Sequence, residues 1–193
     1  GEEIGFKQAI IATGTRYPSL SLAKSNSAYS YSKRNQEILN EHQSLAQANS
    51  ILIIGGGLVG VELAGDIASK FPEKQVTLAQ AGDVLLPESP IKAQQKALDQ
   101  LTAKGVTVKF NRRFQQDSNH YRCTSSGETI QSDKVYVCVG MVPNTEFLQA
   151  ELPEILNNRG LVKVGSDMKV EGYENLFSLG DCSTLDNRKH GYL

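Results

Sequence analysis

Three consecutive glycines, Gly55 to Gly57, break an apolar run and stand directly before a helical pattern in the stretch SILIIGGGLVGVELAGDIASKF, Ser50 to Phe71. Ile51 to Ile54 is isoleucine or leucine throughout, as expected of a strand buried on both faces of a parallel sheet. Gly55, Gly57 and Gly60 then complete GxGxxG. In that spacing the first glycine allows a tight turn, the second lets the backbone approach a pyrophosphate, and the third lets the helix lie close on the strand. Phosphate charge would face the unpaired N–H groups of the helix start. GxGxxG alone is a weak signal, but strand, glycines and helix in this order favour dinucleotide binding over a chance glycine turn.

The rest of the chain reads as alternating strands and helices. Ala9 to Ala12 forms a buried-looking strand that ends in Thr13-Gly14, with no partner before it. Tyr31, Ile38 and Leu45 recur at helical spacing between Tyr29 and Ala48, predicting a helix that feeds the glycine strand. Glu62 falls in the first turn of the glycine helix on this reading. There a carboxylate is either simply favoured by the helix dipole or faces a ligand. The helix stops at Pro72, and Gln75 to Ala79 is the second strand. Dinucleotide folds place an acid for the adenosine ribose about 20 residues beyond the last glycine. Here that place falls on Gln80, whose neutral amide leaves NADH against NADPH open.

Ser89-Pro90 suits an N-cap and first helical position, and Gly105 the position after the helix end. A third strand follows at Val106 to Phe110. Phe114 to Gln131 reads as a hairpin turning at Ser126-Gly127, which makes His120 a surface histidine. Lys134 to Val139 is the next strand, with Cys138 a small core residue, before the turn Gly140 to Thr145. Leu161 to Val164 and Met168 to Val170 read as short strands, and Leu176 to Leu179 as a buried one ending at Gly180-Asp181. An aspartate past a strand's carboxyl end stands where open α/β sheets bind ligands, although a plain turn explains it equally well.

Composition narrows the function classes. At 193 residues, 39% hydrophobic and 21% charged, the chain can hold one globular domain with part of another. Its 20 basic and 21 acidic residues are scattered, leaving no nucleic-acid footprint, and no apolar stretch is long enough to cross a bilayer. Cys123, Cys138 and Cys182 stand far apart without a CxxC pair, so no metal site is expected, and a reducing intracellular setting, cytoplasmic or organelle-associated rather than secreted, is. An opening Gly1 instead of methionine suggests an excised piece.

IIATGTRYP (Ile10 to Pro18), IIGGGLVGVELAGDI (Ile53 to Ile67), VYVCVGMVPNT (Val135 to Thr145) and NLFSLGDCS (Asn175 to Ser183) occur in that order. Together they resemble the successive signatures of the pyridine nucleotide-disulfide oxidoreductase superfamily of flavoprotein reductases. FPEKQVTLAQAGDVLLP and MKVEGYENLFSLGDCS are most similar to its apoptosis-inducing-factor-like and ferroptosis-suppressor-like branch. The resemblance implies an α/β fold: a Rossmann-like nicotinamide-nucleotide domain with an inserted β-hairpin, flanked by partial FAD-domain segments. Residues 1–19 would end the first half of the FAD domain, 20–143 would form the NAD(P)H domain, and 144–193 would begin the second half.

By the same resemblance, Gly55, Gly57 and Gly60 approach the NAD(P)H pyrophosphate, Glu62 lies by the nicotinamide, Gln80 takes the ribose position and Gly140 lines that cleft. Thr13, Gly14, Gly180 and Asp181 approach FAD. The implied reaction passes hydride from NADH or NADPH to FAD and electrons on to an acceptor, a quinone by this branch. Ferredoxin, rubredoxin or monodehydroascorbate are alternative acceptors, and a non-enzymatic nucleotide-binding module is a third reading. No second GxGxxG exists here, so the fragment alone is expected to be inactive, with membrane contact only through segments outside it.

Overall fold

A computed structural model describes residues 4–17, 20, 24–25, 30–117 and 120–185, the side chain of His120 excepted. The first two strands are β1 (Ala9–Ile11) and β2 (Thr15–Arg16), and the first helix is α1 (Tyr31–Gln47). β3 (Ser50–Ile54), α2 (Leu58–Lys70), β4 (Gln75–Ala79), α3 (Ile91–Ala103) and β5 (Thr107–Lys109) alternate after it. Then come β6 (Phe114–Asp117), β7 (His120–Cys123), β8 (Thr129–Ile130) and β9 (Lys134–Val137). β10 (Val142–Pro143) and β11 (Leu176–Ser178) complete the strands. The chain separates into two compact units, Ser19–Val139 and a discontinuous one made of Gly1–Pro18 with Gly140–Leu193.

The continuous unit is a Rossmann-like α/β sheet in the order β5-β4-β3-β9, parallel throughout. β3 occupies an inner position, and Ile51 to Ile54 are all buried, which is why that strand carries apolar residues on both faces. Asp133 ties down its N-terminal end: its carboxylate accepts from the N–H groups of Asn49 (2.8 Å) and Ser50 (2.9 Å), registering β9 against β3. α2 packs on β3, β4 and α3. Gly105, at φ +80°, closes α3 in a Schellman turn, with Val106 N–H donating to Leu101 O and Gly105 N–H to Thr102 O. Pro90, with extended ψ, is the N-cap of α3, one residue later than the Ser89 cap and Pro90 start expected from sequence.

One other expectation needs correction. The single hairpin between Phe114 and Gln131 is a three-stranded antiparallel meander, β6-β7-β8. It buries Phe114 and Cys123 against Leu52, Ile54 and Ala79 of the parallel sheet, so the crossover from β5 to β9 is a sheet layer where a helix would be usual. The stripe on α1 does not enter a core, since the helix has no buried residue and Tyr31 is 86% exposed. It is held instead by the Ser30 cap and by Lys134, which pairs with Glu41 (2.8 Å) and donates to Ser44 (3.1 Å). Tyr29, the expected start, lies outside the described residues, as do the side chain of His120 and the surface role read for it.

In the discontinuous unit β1 pairs with β11 in parallel, Ala9 opposite Leu176 and Ile11 opposite Ser178. The first strand therefore has its partner at the far end of the chain. β2 pairs antiparallel with β10. Ile155, Val162, Val170 and Cys182, all at most 1% exposed, form a core with Ile11, Leu148 and Leu176. The strands expected at Leu161 to Val164 and Met168 to Val170 reduce to isolated bridges, among them Val162 with Ser183 and Val164 with Val170.

Candidate functional site

The glycine turn sits at the carboxyl end of β3, on the edge of the parallel sheet where open α/β folds take ligands. Gly55 adopts φ +115°, and a Cβ there would lie 2.7 Å from Val139 and 2.8 Å from the Cys138 carbonyl. Its N–H donates to Ala79 O at 2.8 Å. A Cβ on Gly60 would sit 1.9 Å from Gly55 O, so the glycine allows α2 to close on the turn. Gly57 is different. Nothing lies within 4 Å of its hypothetical Cβ, and it is the N-cap of α2 with no side-chain capping bond. The helix thus starts without a side-chain cap on its first N–H groups and with free space beside Gly57, the donor arrangement and room that a pyrophosphate requires. The residues present fit a dinucleotide.

Glu62 is exposed and is the fifth residue of α2, just beyond the first turn, in which the sequence reading placed it. The helix dipole fades over the first turn, so it explains the carboxylate less well there. Cys138 packs behind the turn, its N–H donating to Ile54 O at 2.8 Å, and burial pushes its thiol up to about 11.

Gln80 does not present its amide outward. Its Oε1 accepts from Gly56 N–H (3.0 Å) and its Nε2 donates to Val84 O (3.1 Å). Gly56, which the motif leaves unspecified, is thus a further member of the site that sequence reasoning missed. A Cβ on it would lie 2.8 Å from buried Leu85 and 3.1 Å from Gln80 Cβ. The available signal was a third glycine where the motif demands two.

The discontinuous unit brings Thr13-Gly14 and Gly180-Asp181 to neighbouring strand ends, because β1 and β11 are parallel and in register. Ile11 O accepts from Leu179 N–H (3.1 Å) and Ser178 Oγ (3.0 Å), which fixes the two exits side by side. Gly14 (φ +66°) and Gly180 (φ +75°) both take left-handed backbone to make their turns. The Thr15 hydroxyl donates to Asp181 Oδ2 at 3.2 Å, and Asn144 bonds Gly14 O (2.9 Å) and Thr13 O (3.0 Å). Thr15 and Asn144 were not singled out from sequence, since only the fold brings them to those turns. Gly140, exposed at φ +79°, belongs to this unit and follows Val139 in the chain.

Comparison with known proteins agrees with this geometry. The family model described as pyridine nucleotide-disulphide oxidoreductase matches residues 1–191. Apoptosis-inducing factor homolog B of Dictyostelium discoideum is 31% identical over the whole chain, which covers 56% of that protein. Ferroptosis suppressor protein 1 of Homo sapiens is 29% identical, again over the whole chain and 54% of its own length. The chain thus spans about half the length of these curated relatives. Among solved structures, a ferredoxin reductase from Rhodopseudomonas palustris superposes with a TM-score of 0.69 at 18% identity, over 94% of this chain and 45% of that one. The water-forming NADH oxidase from Lactobacillus brevis, bound to NADH, gives 0.66 at 17% identity, over 93% and 40%. These two likenesses speak for the fold. With the family model spanning nearly every residue, the chain belongs to the pyridine nucleotide-disulphide oxidoreductase family.

Proposed function

We propose that Ser19–Val139 is the NAD(P)H-binding domain of an FAD-dependent oxidoreductase and that the discontinuous unit supplies part of its flavin domain. The observation that carries this reading is the uncapped start of α2, with Gly57 facing open space at the carboxyl edge of a parallel sheet. In this reading the amides of that helix start hold the pyrophosphate, and Glu62 one turn on positions the nicotinamide. The strand-end turns at Thr13-Gly14 and Gly180-Asp181 hold part of the flavin nucleotide, with Asp181 oriented by the Thr15 hydroxyl. When bound, the flavin supplies the ring that accepts hydride and passes electrons on, so the protein's task is to bind, orient and exclude water. A quinone is the acceptor class we assign, in keeping with the similarity to ferroptosis suppressor protein 1. The three free cysteines support a reducing intracellular setting.

Calorimetric titration of the 193-residue chain tests the first half. NADH or NADPH should bind at micromolar concentration, and a folded chain that binds neither at millimolar concentration would overturn the reading. In the intact protein NADH should bleach a bound flavin without oxygen; a colourless protein would remove the flavin half.

A further inference from the structure

Residue 80 stands where this class of fold places a ligand to the adenosine ribose, yet each of its polar atoms is bonded to a neighbouring segment of the chain. The backbone N–H donates to Lys109 O (2.8 Å), and the backbone carbonyl accepts from Arg112 N–H (2.9 Å). The side-chain oxygen accepts from Gly56 N–H at 3.0 Å and the side-chain nitrogen donates to Val84 O at 3.1 Å. Only one orientation of the amide satisfies both contacts, because Gly56 offers a donor and Val84 an acceptor. A second connection runs parallel to it: Leu86 N–H donates to Gly56 O at 2.8 Å. Gly56 is therefore gripped through both its backbone groups, by Gln80 and by the loop that Gln80 also holds.

The chemistry of the pair explains why the residue is glutamine. A glutamate could still accept from Gly56, but it would set a carboxylate oxygen against the Val84 carbonyl, two acceptors about 3 Å apart with no proton between them. An apolar residue would strand both partners. The neutral amide alone donates at one end and accepts at the other.

We propose that Gln80 is a positioning residue of the glycine turn, bracing Gly56 and the loop at 81–86 in the nucleotide-binding conformation, and is not a ligand to the adenosine ribose. This rests on the NAD(P)H reading given above for the ligand, and on the hydrogen bonds alone for the brace. A brace acts on the turn that every dinucleotide shares, so its loss weakens NADH and NADPH equally. A ribose ligand touches the atom that distinguishes them, so its loss changes their ratio.

Amide hydrogen exchange on the 193-residue chain, followed by NMR with and without dinucleotide, separates the two. In the free protein the Gly56 amide should be protected. Gln80→Met removes both side-chain hydrogen bonds; it should speed Gly56 exchange at least tenfold and weaken NADH and NADPH by a common factor of about ten or more. Gln80→Glu keeps the acceptor and should retain Gly56 protection while the Leu86 amide exchanges faster. It also decides the matter if Gln80→Met does not fold, since Gly56 and Leu86 both unchanged would overturn the brace. Unchanged Gly56 exchange in a folded Gln80→Met, or a loss confined to one dinucleotide, would overturn it too. If the wild-type chain binds neither dinucleotide, the functional reading fails while the exchange of Gly56 still tests the brace.

Discussion

Gly57 and Gly60 are chemically identical and separated by less than one helical turn, but their surroundings call for opposite outcomes on substitution. A methyl at Gly60 meets the Gly55 carbonyl at 1.9 Å, a backbone atom that cannot swing aside. Gly60→Ala should therefore cost about 3 kcal/mol or more, lowering the Tm of the continuous unit by on the order of 10 °C. A methyl at Gly57 meets nothing within 4 Å, and its φ of −78° suits alanine. Gly57→Ala should change stability by less than about 1 kcal/mol, the modest loss of a poorer cap. It should nevertheless weaken dinucleotide binding at least tenfold, because the methyl enters the space that the proposed function assigns to the pyrophosphate. Thermal unfolding beside calorimetric binding measures both, and equal stability losses at the two positions would contradict the assignment. The roles of Gly55 and Gly60 were legible because backbone contact imposes the spacing itself. Those of Gly56 and Gln80 were not, since nothing in the order of residues shows that a side chain at 80 meets an amide at 56.

Among elements, the meander shows where local signals stop. Ser126-Gly127 announced its second reversal, and Gly127 does take φ +71°. Between Asp117 and His120, which face each other across the first reversal, the sequence carries no glycine, so three strands read as two. Glu62, expected in the first turn of α2, is its fifth residue and so lies just beyond that turn. The meander is also fastened electrostatically. Glu128 pairs with Lys109 at the end of β5 and with Arg112 (3.2 Å) beyond it. The hydrogen bond from Lys109 first, then its charge and Arg112, hold the Glu128 carboxyl below the ordinary glutamate value. A depressed folded pKa contributes stability that is present above the unfolded value of about 4.3 and is lost as pH falls through the folded value. Glu128→Gln should accordingly be less stable than wild type at pH 7 by a modest margin, since the pair is partly solvated. That margin should hold down to about pH 5 and close as the pH falls through the depressed folded value. Urea unfolding of both proteins across this range would show it; a margin that persisted in acid would point to packing instead of charge.

For the whole molecule, the two units differ in how far the chain must travel to build them. The unit Ser19–Val139 is one continuous stretch of chain, and its strands β3 and β4 hold residues at 0–1% exposure such as Leu52, Ile53 and Leu78. The other unit gains its β1–β11 ladder only after the ends of that entire insertion have been brought together. Closing a loop of that length instead of one of about ten residues costs roughly 2 kcal/mol more. That unit is also smaller in strand content, with a three-residue parallel pair, the two-residue pair of β2 with β10, and isolated bridges. Unfolding should therefore proceed in two steps, the discontinuous unit first, with no single free energy describing the chain. Native-state hydrogen exchange should report the order: amides of β1 and β11 exchange before those of β3 and β4. In the proposed reading the glycine turn that holds the dinucleotide belongs to the continuous unit, so at a hundredfold excess over its Kd the ligand should stabilise the later step by about 2.7 kcal/mol. The earlier step should stay where it was. Calorimetric scans with and without NADH would display this as one fixed and one shifted transition, whereas a single transition moving as a whole would mean that the two units unfold as one cooperative body.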